Sequence, residues 1–137
     1  MATDKDVTQT DNRAEMKIYI ATPVNARKED TLEEKRKAAW MRVCYLKVEI
    51  AHKISDTEFH SSFDNDITPV EVTKFTYLPS EPKIMGLCVT RVMECDAILM
   101  DWGYENSKGC TVEHTTALTY GKKIIHAYDL NIEPEKS

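Results

Sequence analysis

The sequence predicts a three-layer α/β domain built around a mostly parallel sheet, and three observations lead there. Short β-rich runs alternate with amphipathic helical patterns, the order expected of successive strand-helix-strand units. One run, Ala97-Ile98-Leu99-Met100, is apolar throughout, as a central strand covered on both faces must be. The chain has 137 residues, enough to bury one sizeable core and too few for two domains.

Residues 1–15 mix acids and bases around one valine, so a flexible N-terminal tail is expected there. Lys17-Ile18-Tyr19-Ile20-Ala21 reads as the first strand, ended by Thr22-Pro23. Thr31 and Glu34 then have capping-box spacing, which predicts a helix over 32–53 with Trp40, Cys44, Val48 and Ala51 on its buried face. Its charged run Glu33-Glu34-Lys35-Arg36-Lys37 reads as a solvated face. Residues 55–79 lack a sustained period and suggest a strand near 59–63 followed by a long excursion, a length often given to functional loops.

Ser80-Glu81-Pro82 opens a second helix, whose apolar stripe runs through Ile84, Leu87, Cys88, Val92 and Cys95. The apolar strand over 97–100 follows, bounded by Asp96 and Asp101. Ser107-Lys108-Gly109-Cys110 starts a third helix, which Gly121 closes as a left-handed cap, and Lys123–Ala127 is the last strand. One Rossmann-like or flavodoxin-like domain over 16–130 is therefore expected, with a C-terminal tail over 131–137.

Composition removes several classes of function. Hydrophobic residues make up 42% and charged ones 30%, which excludes disorder and fibre. Only four glycines occur where average usage of about 7% would supply roughly ten, and their spacing fits neither a dinucleotide fingerprint nor a P-loop. With 23 acidic and 18 basic residues the net charge is −5, against a nucleic-acid polymer as partner. Neither a membrane-length apolar run nor the basic-then-apolar order of a signal peptide occurs, so a cytoplasmic protein without membrane contact is expected. The four cysteines form no Cys-x-x-Cys pair and the histidines have no ligand spacing. Reduced thiols are expected, with no metal and no other cofactor.

Open parallel sheets bind ligands beyond the carboxyl ends of their strands. That rule selects Thr22, Pro23 and Asn25 after the first strand, and Asp101, Trp102, Ser107, Lys108 and Gly109 after the 97–100 strand. Ser107 and Gly109 open a helix whose free amides can receive a phosphate, with Lys108 beside them. Glu113 lies about one turn further in, where the helix dipole favours its anionic form. A glutamate there serves as a nucleophile or simply complements the dipole, and the local pattern does not choose. Asp101 reads equally as a site acid or a strand terminator, and Asp96 sits at the opposite edge. His114 points about 100° away from Glu113 around the helix and reads as a packing residue. Tyr19 reads as a core aromatic with its hydroxyl satisfied nearby.

The segments CDAILMDWGYENSKGCTVEHTTALTYGKKIIHAY and MKIYIATPVNARKED together resemble the nucleoside 2-deoxyribosyltransferase-like family. The likeness is greatest to a bacterial and phage branch related to deoxynucleoside monophosphate N-hydrolases. It rests on Asp101, Ser107, Gly109, Glu113, Ala117, Gly121 and Lys122. The resemblance implies cleavage or transfer of the N-glycosidic bond of a (deoxy)nucleoside or its monophosphate. Glu113 would be the nucleophile, Asp101 or Asp64 the second acid, Tyr19 the active-site tyrosine and Ser107 a phosphate ligand. It also implies a homo-oligomer. Two departures stand out: no glycine follows the first strand, and Met85-Gly86-Leu87 occupies the stretch where the family places its second acid. Asp64 is the substitute suggested by position. A non-catalytic nucleotide-binding module with the same crevice is the alternative. A receiver-like domain is disfavoured, since Ala21-Thr22-Pro23 replaces the acid pair it would need.

Overall fold

The computed structural model describes residues 15–64 and 81–135. Its elements are β1 (Met16–Ala21), α1 (Leu32–Lys53), β2 (Thr57–Ser61), α2 (Glu81–Glu94), β3 (Ala97–Met100), α3 (Lys108–Thr119) and β4 (Lys123–His126). Short 3-10 turns follow β2, β3 and β4, at Ser62–Asp64, Tyr104–Asn106 and Ala127–Leu130. Every pairing is parallel and the strand order is β2-β1-β3-β4. The chain leaves β1 toward one side and β3 lies on the other, so the loops after β1 and β3 diverge and open a crevice between them.

Alternation along the strands divides the core into two layers. Ile18 and Ile20 of β1, with Ala97, Leu99 and Ile125, pack against Ala39, Val43, Leu46 and Ile50 of α1. Tyr19 and Ala21, with Ile98 and Met100, face the opposite layer, where Val92 of α2 and Cys110 and Ala117 of α3 cover them. Each large aliphatic side chain fully buried in these layers contributes about 1.5–3 kcal/mol.

The α1 N-terminus is capped as its spacing predicts: Glu34 N–H donates to Thr31 Oγ1 at 3.1 Å, and Thr31 N–H to Glu34 Oε1 at 3.2 Å. Its buried face differs from the expected one. The sheet takes the stripe Ala39, Val43, Leu46 and Ile50, while Val48 is 55% exposed and Ala51 is exposed. The two stripes are one residue apart, and the all-aliphatic one fits the flat sheet, leaving bulky Trp40 on its flank. Gly121, at φ +70°, ends α3 in a Schellman motif, with Gly121 N–H on Leu118 O and Lys122 N–H on Ala117 O.

The expectation of a C-terminal tail from 131 onward is corrected for 131–135. Ile132 is buried in the α1 layer, Glu133 C=O accepts from Arg42, and Glu135 pairs with Arg27. One isoleucine anchors that stretch, and a single anchor has no period to recognise in the sequence. The second strand begins two residues earlier than expected, and residues 65–80 of the long excursion lie outside the described residues.

Candidate active site

A cavity of about 480 Å³ opens between the carboxyl end of β1, the first turns of α1, and the facing parts of α2 and α3. That is the size of a small-ligand site. Of the residues expected from sequence, Tyr19, Thr22, Asn25, Ser107, Lys108, Gly109 and Glu113 line it. Pro23, Asp101 and Trp102 do not. Asp64 falls in the turn after β2, directly after cavity-lining residues begin at Ser62, and its side chain lies outside the described residues.

Glu113 forms the floor. It shares the buried stripe of α3 with Cys110 and Ala117, three residues before it and four after, and it is only 5% exposed. Strand alternation turns Tyr19 toward the same layer. Its hydroxyl donates to Glu113 Oε2 at 2.7 Å, in a fully buried contact. Burial pushes the Glu113 carboxyl up to about 7, and hydrogen bonds from Tyr19 and Cys88 hold it from rising further. Burial, and then the charge of Glu113, push Tyr19 well above the ordinary tyrosine value, so it remains a donor. The floor therefore holds an oriented carboxylate that gains and loses its proton near neutral pH.

Tyr19→Phe removes one of the two donors that favour the anion. The Glu113 titration midpoint should then rise by roughly one pH unit, the worth of one hydrogen bond to a charged group. Carboxyl-carbon NMR of glutamate-labelled protein measures this directly.

Asp101 has a different place from the one expected. Arg42, buried in α1, grips it with two parallel bonds, Nε to Oδ2 and Nη2 to Oδ1, both 2.9 Å. Thr22 Oγ1 donates to Oδ2 at 2.5 Å and the Trp102 amide to Oδ1 at 2.7 Å. With four donors on two oxygens the carboxylate is spent on structure: it ties β1, α1 and the loop after β3 together under the cavity rim. Held in this way, Asp101 lies outside the cavity lining. Trp102 also turns away from the cavity, its indole N–H donating to Ile132 C=O at 2.7 Å and its ring meeting Tyr128 edge-on. Pro23 is buried, with its carbonyl accepting from Arg27 Nη1 at 2.9 Å.

Ser107 is the N-cap of α3, its Oγ accepting the Cys110 amide at 3.3 Å. The amides of Lys108 and Gly109 precede the helical ladder and have no acceptor within it. His114 packs on the Tyr104 ring at 5.4 Å, away from Glu113. Asp96 accepts the Lys17 amide at the opposite edge of the sheet. Among the described residues no group of three or more His, Cys, Asp and Glu side chains could hold a metal ion, and no disulfide joins any of the four cysteines.

Among the cavity residues that the sequence reading did not assign to a site are Arg36, Met85 and Cys88. Arg36 sits in the run read as solvated, yet it and Lys35 are half-buried while Glu33, Glu34 and Lys37 are exposed. Its guanidinium lies over the Phe63 ring, 5.6 Å from the centroid. Cys88 was legible only as one position of an apolar stripe.

A family model described as a domain of unknown function, DUF4406, matches residues 67–126. No curated protein matches the sequence. Among solved structures the chain is similar to a 2-desoxiribosyltransferase from Leishmania mexicana, with a TM-score of 0.50 and 21% identity over 81% of this chain. The fold is the deoxyribosyltransferase fold. The chain spans 63% of the length of that structure. No helix among the described residues is long and apolar enough to cross a membrane.

Proposed function

We propose that this chain cleaves or transfers the N-glycosidic bond of (deoxy)nucleosides or nucleoside monophosphates, with Glu113 as nucleophile. One observation carries the reading: a single buried carboxylate on the floor of a nucleoside-sized cavity, oriented by Tyr19 and poised to ionise near pH 7. Such a group is desolvated, aimed and partly anionic, which is what attack on an oxocarbenium-like centre requires.

In the first step a Glu113 carboxylate oxygen bonds to C1′ as the C1′–N bond breaks, and the bonding pair leaves with the base, which takes up a proton. In the second, water or another base attacks C1′ and releases the glutamate. Tyr19 holds the carboxylate oxygen in place through both. Asp64 is the proposed proton donor to the leaving base, since it follows Ser62 and Phe63 in the turn beside the cavity. No metal or cofactor is needed for these steps, and the proposed protein is a cytoplasmic homo-oligomer.

The second reading, a nucleotide-binding module without chemistry, has one observation in its favour: Glu113 is the only carboxylate among the described residues that line the cavity. Incubation with a panel of deoxynucleosides and monophosphates, with and without an acceptor base, separates the two. Free or exchanged base is the expected result. Absence of turnover, together with tight nucleotide binding that Glu113→Gln leaves unchanged, would establish the module instead.

A further inference from the structure

α1 carries apolar residues on two opposite sides. The stripe Ala39, Val43, Leu46 and Ile50 is buried against the sheet, while on the far side Met41 is 58%, Tyr45 46% and Val48 55% exposed. A helix whose only partner is a sheet carries charged and polar residues on that outer face. The helical pattern assigns Val48 to the core, and the sheet does not take it.

The outer residues are regularly spaced. With Glu34 and Ala38 before them and His52 after, they fall at steps of four, three, four, three and four, the alternation that keeps one seam of a helix against another helix. The seam spans 18 residues of the 22-residue helix, about 27 Å.

The seam is also its own complement. Reversed end to end it superposes on itself, so that position 34 falls opposite 52, 38 opposite 48 and 41 opposite 45. A two-fold contact requires that property, since residue i must meet j while j meets i. The pairs are matched in chemistry: a carboxylate with an imidazole, small Ala38 with branched Val48, and the Met41 thioether with the Tyr45 ring. Only the antiparallel arrangement suits the charges, because α1 has acids in its first turn, Glu33 and Glu34, and bases in its last, His52 and Lys53. It also sets the positive end of each helix dipole beside the negative end of the other.

Two of these side chains are ordered in advance, which lowers the entropy cost of association. The Arg42 guanidinium, itself clamped by Asp101, lies over the Tyr45 ring at 5.3 Å from its centroid. Glu34 is fixed by its capping-box bond to the Thr31 amide.

We propose that the outer face of α1 is a homodimer interface, on which a second copy of this chain lays its own α1 antiparallel, with Met41 against Tyr45 of the partner subunit and Glu34 against the partner's His52. This gives a surface to the homo-oligomer proposed above and does not depend on the glycosidic chemistry.

Sedimentation velocity of the full chain over a concentration series tests it. A reversible dimer is expected, and Val48→Glu, which places a charge in the seam of each subunit, should weaken it at least about thirtyfold, the scale of an interface hot spot. Glu34→Lys alone and His52→Glu alone each set like charges across the interface and should weaken the dimer, and the double variant should restore it. Positions 34 and 52 are too far apart to pair within one chain, so that recovery reads contact between subunits. A monomer at every concentration would overturn the interface together with the homo-oligomer. A dimer that Val48→Glu and the single charge changes leave intact would overturn the interface alone. Lower thermal stability of Val48→Glu with unchanged association would overturn it too, and would mean that the chain's own residues cover the face. Base release from the deoxynucleoside panel, measured on the same samples, decides the glycosidic reading separately.

Discussion

Glu113→Gln is expected to lower base release by at least about a thousandfold, the scale on which removing a covalent nucleophile acts. The substitution keeps the shape of the side chain and an oxygen for the Tyr19 hydroxyl, so the loss would report chemistry and not collapse of the cavity. Stability should move the other way. Burial raises the carboxyl from an ordinary 4.5 to about 7, so the folded protein holds a proton that the unfolded chain has already lost. The stability this group contributes is complete below about pH 4.5 and is lost as pH rises through about 7. The glutamine variant carries no such dependence. Above pH 7 it should be more stable than its parent by up to about 3 kcal/mol, with the advantage vanishing toward pH 4.5. Denaturant melts of both proteins at pH 5 and pH 8 measure the difference, and an inactive variant that is also more stable at pH 8 is the joint signature of a strained functional carboxylate.

Asp101→Ala should be the most destabilising single change at the rim. It leaves the Arg42 guanidinium, whose side chain is only 5% exposed, buried without its counter-charge, and it strips Thr22 and the Trp102 amide of their acceptor. Breaking a buried pair from one side costs about 3–5 kcal/mol, a large share of the roughly 5–15 kcal/mol by which a domain of this size is stable. The double change Asp101→Leu with Arg42→Met removes both charges together and should recover much of that loss. Urea denaturation of the single and double variants decides this. A full-strength fold in Asp101→Ala would mean that the ion pair is not what fastens β1, α1 and the loop after β3.

The elements of the fold were legible because each carried a local physical signal: a capping box for α1, a glycine past the end of α3, and an uninterrupted apolar run for β3. Gly121 is the clearest case, since only a left-handed residue closes the motif that the structure shows there. Glu113 and Tyr19 were legible as residues but not as a pair. Their 2.7 Å contact spans 94 positions, and nothing local to either announces it.

Asp101 shows why the rim was harder. From sequence its position at the carboxyl end of β3 suits a site acid or a strand terminator alike, and what holds it away from the cavity is Arg42, a charge placed within an apolar helix stripe. That misfit is itself a readable signal: a buried arginine demands a carboxylate, and a lone aspartate at the end of a central strand is a natural supplier. Arg36 had no such signal. Its run of mixed charges describes a solvated face equally well, and in the fold the Arg36 guanidinium lies over the Phe63 ring.

The central claim is that Glu113 attacks C1′, and the most direct measurement is mass spectrometry of protein quenched in acid during turnover of a monophosphate substrate, followed by peptide mapping. The account predicts a glycosyl adduct on the peptide that contains Glu113, absent after Glu113→Gln. Turnover that leaves this peptide unmodified and persists undiminished in the glutamine variant would contradict it.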